Sequence, residues 1–239
     1  MSLRGLLSDI HTFLLRTPAT PTLIEFASGE EREEYSRRIL QRLGLDVSEY
    51  SVLNIHHIGI DVPVRYVFEE ILAWDGDSRC WPNHLARVSR VDGALEHIEI
   101  LLLGHRRVGL GAGFLRFDLV PLFRLDAMRI VSRPDPENFD NARYLLYRCS
   151  GGYPIGLFGI YVRSPIADRG EHERAQLTFA VGFDFYGHKE LSRARIINSL
   201  WEAIHDRATG NILNEFKKLC ENRFRRATEK IPSGEGANR

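Results

Sequence analysis

A long amphipathic run near the C-terminus, from about residue 189 to residue 221, most constrains how this chain can fold. Apolar residues recur in it at spacings of three and four, the pattern of a helix with one apolar stripe. The stripe consists of Ile197, Leu200, Trp201, Ile204, Ala208, Ile212, Phe216 and Leu219. A helix of about 30 residues is about 45 Å long, so we expect a broad, curved surface to receive it.

The sequence before this run has the pattern of β-strands. Alternating apolar and polar residues predict a first strand from residue 51 to residue 60. Six more are predicted at 86–91, 97–103, 125–133, 142–149, 155–163 and 177–186. Turn signals such as Asp92-Gly93 separate them, and no helical pattern lies between them, which favours an antiparallel sheet. We expect the aromatic face of the last strand to contact the long helix.

The first fifty residues predict a helical extension. Leu3 to Leu14 place apolar residues on one helical face, and Ser28 with Glu31 forms a capping-box pattern at the start of a charged helix over 29–43. A third helix is predicted after Asp61, an expected N-cap, with Pro63 early in it. We therefore predict an N-terminal extension at 1–50, the main domain at 51–224 and a disordered polar tail at 225–239.

Composition excludes several classes of function. The 32 basic and 32 acidic residues cancel, so no overall field favours a nucleic-acid partner. The three cysteines lie far apart and form no CxxC pair, which argues against a disulfide framework and a structural zinc site. No apolar run approaches the roughly 18 residues that a membrane span needs. We expect a cytoplasmic protein without a membrane span, a metal or a cofactor.

The order of strand, two short helices, six antiparallel strands and a long C-terminal helix resembles the helix-grip superfamily of START, Bet v 1 and polyketide cyclase-like (SRPBCC) domains. The similarity runs from about residue 51 to residue 221. Its motifs are Asp61-Val62-Pro63-Val64, Val67-Phe68, Trp74 and Trp81-Pro82-Asn83-His84, followed by 177–187 and 191–219.

This resemblance implies an α+β fold in which a curved seven-stranded antiparallel sheet wraps around the C-terminal helix and leaves an elongated apolar cavity. Such cavities hold lipids, sterols, polyketides or plant hormones in various members, and a minority of members catalyse cyclisation or dehydration. Residues 1–50 and 104–122 lie outside the family pattern, and we expect them to cap or fill the cavity.

Ten residues are predicted to line this cavity. They are Trp81, His97, Glu99, Tyr147, Phe158, Phe179, Phe183, Ile197, Trp201 and Ile204. Tyr147 and its neighbour Arg148 would add polar groups for specificity. His97 and Glu99 share one face of a strand. If that face is concave, they are buried polar groups that need a partner such as a ligand oxygen, and they are the candidates for acid–base catalysis.

Three other patterns favour structural interpretations. His56 and His57 are adjacent on a strand, so they point to opposite faces and cannot jointly bind one metal. The segment from Gly109 to Gly113 lacks the βαβ context of a nucleotide loop and predicts a flexible loop near the cavity mouth. Thr209-Gly210-Asn211 interrupts the long helix and predicts a bend that would let the helix end move as a gate.

Three functions remain open on the sequence. The first is binding of a hydrophobic, lipid- or polyketide-like small molecule in the cavity. The second is an enzyme of the cyclase, aromatase or dehydratase type that uses acid–base residues in the cavity. The third is a protein-interaction module with a filled cavity, in which the N-terminal helix docks onto a partner or a second copy to form a homodimer.

Overall fold

The computed structural model describes residues 3–42, 52–73, 75, 79, 86–102, 107–110, 113–116, 121–131, 143–152, 156–164, 174–183 and 195–229. Four helices and nine strands lie in these ranges. In chain order they are α1 (Leu3–Leu15), α2 (Gly29–Arg42), β1 (Val52–Ile60), α3 (Val64–Leu72), β2 (Ala86–Val91), β3 (Ala94–Leu102), β4 (Arg107–Leu110), β5 (Gly113–Arg116), β6 (Pro121–Val131), β7 (Arg143–Gly152), β8 (Leu157–Arg163), β9 (Ala175–Phe183) and α4 (Arg195–Glu229).

Seven strands form one antiparallel sheet in the order β1-β9-β8-β7-β6-β3-β2. One face of this sheet packs against the long helix α4. This is the helix-grip arrangement, as predicted, and each of the seven predicted strands is present with its ends moved by a few residues. None of the described helices is both long enough and apolar enough to cross a membrane.

The two faces of the sheet have different roles. We name the face that packs against α4 the inner face, and the opposite one the outer face. The core joins the inner face to α3 and α4, and includes Ile58, Ile60, Phe68, Ile71, Ile98, Ile100, Leu125, Tyr147, Ile160, Leu177, Phe179, Leu213 and Phe216. The inner face is therefore set by the alternation of apolar residues along each strand.

Helix α4 is buried on two sides. Leu213, Phe216 and Cys220 belong to the core beneath the sheet. Gly210, Asn211 and Asn214 are also buried. Successive helix residues are rotated by 100°, so the mean direction of these three lies roughly 130° around the helix axis from that of Leu213, Phe216 and Cys220. They contact an N-terminal segment, residues 13–24, which we name the N-terminal strap.

Amide side chains of α4 hold this strap in place. Asn211 Nδ2 donates hydrogen bonds to the carbonyl oxygens of Phe13 (3.1 Å) and Arg16 (2.9 Å). Asn214 bonds both backbone groups of Thr20, accepting from its N–H (3.0 Å) and donating to its carbonyl (3.0 Å). The strap is thus fixed by four hydrogen bonds to the helix across a long separation in sequence.

Thr209-Gly210-Asn211 does not interrupt the helix, because α4 is continuous through this point, and the bend and gate stay a prediction. Gly210 allows the strap to lie very close to α4. A Cβ atom placed there would lie 2.5 Å from Pro18 Cγ and 3.1 Å from Thr22 Oγ1. The single-stripe prediction for this helix is also wrong at Leu200, which is 63% exposed. Asn211 and Asn214, which are not part of the predicted apolar stripe, bind the strap, so the buried surface is wider than the apolar pattern.

The strap continues into contact with the sheet. The backbone N–H of Ile24 donates to the carbonyl of Ile55 (3.0 Å), and that of His57 donates to the carbonyl of Thr22 (2.7 Å). These bonds cover part of the free edge of β1, with Leu23 opposite His56. Helix α1 precedes the strap and contacts both α4 and β4. The N-terminal extension therefore packs against α4 and the β1 edge of the sheet, and its capping or filling of a cavity stays a prediction.

Two local predictions about turns and caps are confirmed. Glu31 N–H donates to Ser28 Oγ (3.2 Å), and Glu31 Oε2 accepts from the Ala27 N–H (2.9 Å), which fixes the start of α2. Asp92 and Gly93 both have positive φ angles, 53° and 75°, and form the tight turn between β2 and β3.

Three other predictions need correction. Asp61 does not cap α3; its carboxylate accepts a hydrogen bond from Arg174 Nε (2.5 Å), and Pro63 is the N-cap residue. Gly109, Leu110 and Gly113 of the glycine-rich segment lie in β4 and β5, which pair as a separate two-stranded sheet. Residues 225–229 of the predicted tail are helical. Residues 230–239, Trp74 and 81–85 lie outside the described residues.

The close packing at Gly210 gives a prediction with an unusual sign. In a helix, Gly→Ala normally stabilises by about 1 kcal/mol. Here we expect Gly210→Ala to lower the free energy of unfolding, because the new methyl group would push Pro18 away. The double variant Gly210→Ala/Pro18→Ala should recover part of the loss, since it removes Pro18 Cγ. Urea denaturation of the wild type, Gly210→Ala, Pro18→Ala and the double variant measures this, and an increase in stability for Gly210→Ala alone would contradict the close contact.

Candidate functional site

Two polar residues lie side by side on the inner face of β1. Asn54 is 1% exposed and His56 is 0% exposed. Across the neighbouring strand β9 they pair with Val181 and Phe179, both of which belong to the core. Strand alternation places Ile58 and Ile60 on the same face. The apolar inner face thus carries an amide and an imidazole at its β1 end.

These buried groups lack most of the hydrogen bonds that they can make. Among the described residues, no partner reaches Oδ1 or Nδ2 of Asn54, or Nε2 of His56. A buried polar group without a partner costs about 1–3 kcal/mol of stability, and such groups are rare in native proteins. Together Asn54 and His56 offer at least one donor and one acceptor to whatever molecule lies against this end of the sheet.

The other ring nitrogen of His56 is held by the strap and by α4. His56 Nδ1 lies 3.0 Å from Thr22 Oγ1 and 3.8 Å from Asp206 Oδ1. Burial, and then the nearby His205, lower the pKa of His56 to about 4. The imidazole is therefore neutral at pH 7, and Thr22 fixes its orientation so that Nε2 is the nitrogen left for a ligand.

A row of aromatic side chains leads away from this polar pair across the inner face. Phe179 contacts Phe158 edge-on, with ring centroids 5.3 Å apart, and Phe158 stacks on Tyr147 at 6.5 Å. The Tyr147 hydroxyl donates to the Leu95 carbonyl (3.0 Å), and burial raises its pKa. Tyr147 is therefore protonated, and its hydroxyl already has a hydrogen-bond partner. Phe158 is half-buried and is the most accessible ring of the three.

The arrangement is suited to an apolar molecule with one polar end. Its wall is aromatic and aliphatic, and the two buried polar side chains on β1, Asn54 and His56, are uncharged at pH 7. Within the ranges that the structure describes, no group of three or more His, Cys, Asp or Glu side chains could hold a metal ion. The absence of a metal and of a cofactor stays a prediction.

The structure brings three of the ten predicted lining residues together, namely Tyr147, Phe158 and Phe179. Ile204 lies half-buried on α4, one residue before His205. Trp81 and the side chains of Phe183, Ile197 and Trp201 lie outside the described residues. Their part in the site stays a prediction.

His97, Glu99 and Arg148 lie on the outer face, so the condition that would have put His97 and Glu99 in the cavity is not met. The inward residues of β3 are the buried Ile98 and Ile100 that alternate with them. His97 Nδ1 pairs with Asp126 Oδ1 at 2.9 Å, with both side chains more than half exposed. Glu99 pairs with Arg124 at 2.6 Å. The first is a hydrogen-bonded pair and the second is an ion pair, both between neighbouring strands, and they account for polar residues on that face.

Sequence reasoning missed Asn54 and His56 as site residues, although it correctly separated His56 from His57. His57 is exposed on the outer face, where burial and the Arg163 charge lower its pKa. A signal was available: Asn54 and His56 continue the alternation of Ile58 and Ile60, which are both apolar. That pattern alone would have placed them in the core.

Solved structures similar to this chain were found at low sequence identity. The Zhui aromatase/cyclase from Streptomyces sp. R1128 is 19% identical, with 74% of this chain and 97% of that chain covered and a TM-score of 0.45. The di-domain ARO/CYC BexL from the BE-7585A biosynthetic pathway is 13% identical, covering 68% and 46%, with a TM-score of 0.38. A point mutant of norcoclaurine synthase from Thalictrum flavum is 10% identical, covering 72% and 95%, with a TM-score of 0.38.

Neither a protein-family model nor the sequence of a curated protein matches this chain. The fold follows from the strand order and the position of α4.

The unpartnered amide of Asn54 predicts a stabilising substitution. Leucine has nearly the same shape without the polar atoms, so Asn54→Leu should raise the free energy of unfolding of the ligand-free protein by about 1–3 kcal/mol. Asn222→Leu, on the exposed part of α4, is the control and should change stability by less than about 0.5 kcal/mol. Urea denaturation measures both. A clear loss of stability in Asn54→Leu would mean that the amide is already satisfied.

The lowered pKa of His56 predicts a dependence of stability on pH. Between the usual histidine pKa of about 6.5 and the folded value of about 4, the unfolded chain binds a proton that the folded protein excludes. The free energy of unfolding should therefore fall as the pH drops through this window, by about 3 kcal/mol for this residue. His56→Gln should remove this part of the fall, whereas the control His57→Gln should keep it.

Denaturant titrations at pH 7 and pH 4.5 would show the difference between the two variants. Equal losses of stability in His56→Gln and the wild type would refute the assignment to His56.

Proposed function

We propose that this protein binds a hydrophobic small molecule between the inner face of its sheet and α4. The observation that carries the proposal is the pair Asn54 and His56, fully buried, with polar atoms that no described residue satisfies. They stand at the end of the row formed by Phe179, Phe158 and Tyr147. An apolar ligand with a polar end would cover the aromatic row and supply the missing hydrogen bonds.

Structural packing alone is a poor explanation for this pair. Two neighbouring groups that each cost about 1–3 kcal/mol are a large fraction of the 5–15 kcal/mol that stabilises a typical domain. Natural proteins place such local violations at functional sites, where the benefit lies in binding. A filled core would be served better by leucine and phenylalanine at these two positions.

The enzyme alternative predicted from His97 and Glu99 is not carried further, because both residues lie on the outer face. The interaction alternative depends on α1. Its Phe13 is buried within the chain, while Leu7 and Leu15 are 58% and 47% exposed. A homodimer through the N-terminal extension therefore stays a prediction that rests on these two leucines.

The cytoplasmic location predicted from the sequence belongs to this proposal as well. Cys149 and Cys220 carry free thiols, which is usual in a reducing compartment. Burial raises the pKa of the Cys220 thiol, so it has no reactive role in the site.

A cavity-filling variant tests the proposal. Val181 lies beside Asn54 and Phe158 on the inner face, so Val181→Phe would occupy the space that a ligand needs. We expect the variant to fold with near wild-type stability and to lose at least tenfold in affinity for the compound that native mass spectrometry and solvent extraction recover from the wild type. Thr178→Phe, on the outer face of the same strand, should keep wild-type affinity.

The opposite result would support a filled core. In that case Val181→Phe would overpack the interior and lower the free energy of unfolding by about 1–3 kcal/mol. Freshly purified wild-type protein would then also show a mass with nothing bound and no shift on adding fatty acids, sterols or aromatic polyketides.

A further inference from the structure

We infer that the part of the ligand lying against β1 is an uncharged hydroxyl or carbonyl group, bound by Asn54 and His56, and that a carboxylate is excluded from this position. The inference rests on the proposed function and names the chemical class of its ligand. It follows from the geometry of the two side chains and from the charges around them.

The geometry favours a small neutral polar group. Asn54 and His56 are two residues apart on one face of β1, so their Cα atoms are separated by about 6.5–7 Å. The amide offers a donor and an acceptor, and the imidazole offers Nε2, because Thr22 Oγ1 contacts Nδ1. One hydroxyl or carbonyl oxygen between the two side chains would bond to both.

The surrounding charges disfavour an anion at this position. Asp206 Oδ1 lies 3.8 Å from the same imidazole ring. Burial raises the pKa of Asp206, Arg207 lowers it, and the carboxylates of Glu202 and Glu25 raise it further. His205 is the other titratable group that acts on the His56 ring. A buried carboxylate bonded to His56 would thus lie near Asp206, whose own surroundings include Glu202 and Glu25, and burying a charge is costly.

A cationic group on the inner face lies elsewhere. Arg143 is on β7, three strands from β1 in the sheet, and its guanidinium is 5.5 Å from the Phe68 ring of α3. Its Nε is buried without a partner among the described residues. Any acidic group of a ligand would therefore belong at the Arg143 end. The β1 end would then bind only the uncharged polar group of the ligand.

Three probes that share one ring system test this inference: naphthalene, 2-naphthol and 2-naphthoate, titrated at pH 7.5. We expect the wild-type protein to bind 2-naphthol about tenfold more tightly than naphthalene, the gain from one or two neutral hydrogen bonds. In Asn54→Leu the ratio should fall to about threefold, because only His56 Nε2 is left to bond to the hydroxyl. His57→Gln, on the outer face of the same strand, should keep the wild-type ratio.

The carboxylate gives the second comparison. Wild-type protein should bind 2-naphthoate more weakly than 2-naphthol, and Asn54→Leu should leave its affinity for 2-naphthoate unchanged. Equal affinities of the wild type for all three probes, or tightest binding of 2-naphthoate that is lost in Asn54→Leu, would overturn this inference and leave the proposed function standing. Failure of all three probes and of any extracted compound to bind would overturn the proposed function itself. Urea denaturation of each variant confirms that the folded protein is being compared.

Discussion

The rest of the structure depends on how α4 is held between two surfaces. One side of the helix packs Leu213, Phe216 and Cys220 against the inner face of the sheet, and another binds the N-terminal strap through Asn211 and Asn214. The first contact is apolar and tolerates sliding, whereas hydrogen bonds from side-chain amides to backbone carbonyls are directional. The strap therefore fixes the position of a helix whose core contacts alone would specify it less sharply.

Thr22 links this arrangement to the candidate site. Its hydroxyl contacts His56 Nδ1, its carbonyl accepts a hydrogen bond from the His57 N–H, and it lies close to Gly210 of α4. One residue of the strap thus touches the sheet, the helix and the polar end of the inner face. A ligand that bonds to His56 Nε2 would contact the same imidazole ring that the strap orients. Ligand binding and docking of the strap therefore both involve the His56 side chain.

The fold was largely predictable from the sequence, and the site was not. Period-two patterns and turns such as Asp92-Gly93 are local, so the positions of the strands along the chain followed from them. Which face of a strand lies inward is decided by its neighbours. His97 and Glu99 were predicted to line the cavity, but they alternate along β3 with Ile98 and Ile100, whose apolar side chains occupy the core. The role of Asn211 and Asn214 in holding the strap was not predicted, because the backbone groups that they bind lie nearly 200 residues away in the chain.

This separation has a consequence for the order in which the protein folds during synthesis. Thr20 and Asn214 are 194 residues apart, and β1 pairs with β9 rather than with a neighbour in the chain. At about 5–20 residues per second, the strap waits about 10–40 s for its partner in α4 to leave the ribosome, and β1 waits about 6–26 s for β9. During that time the inner face of β1 and the edge that later pairs with β9 are uncovered, so the nascent chain exposes surface that the finished protein buries.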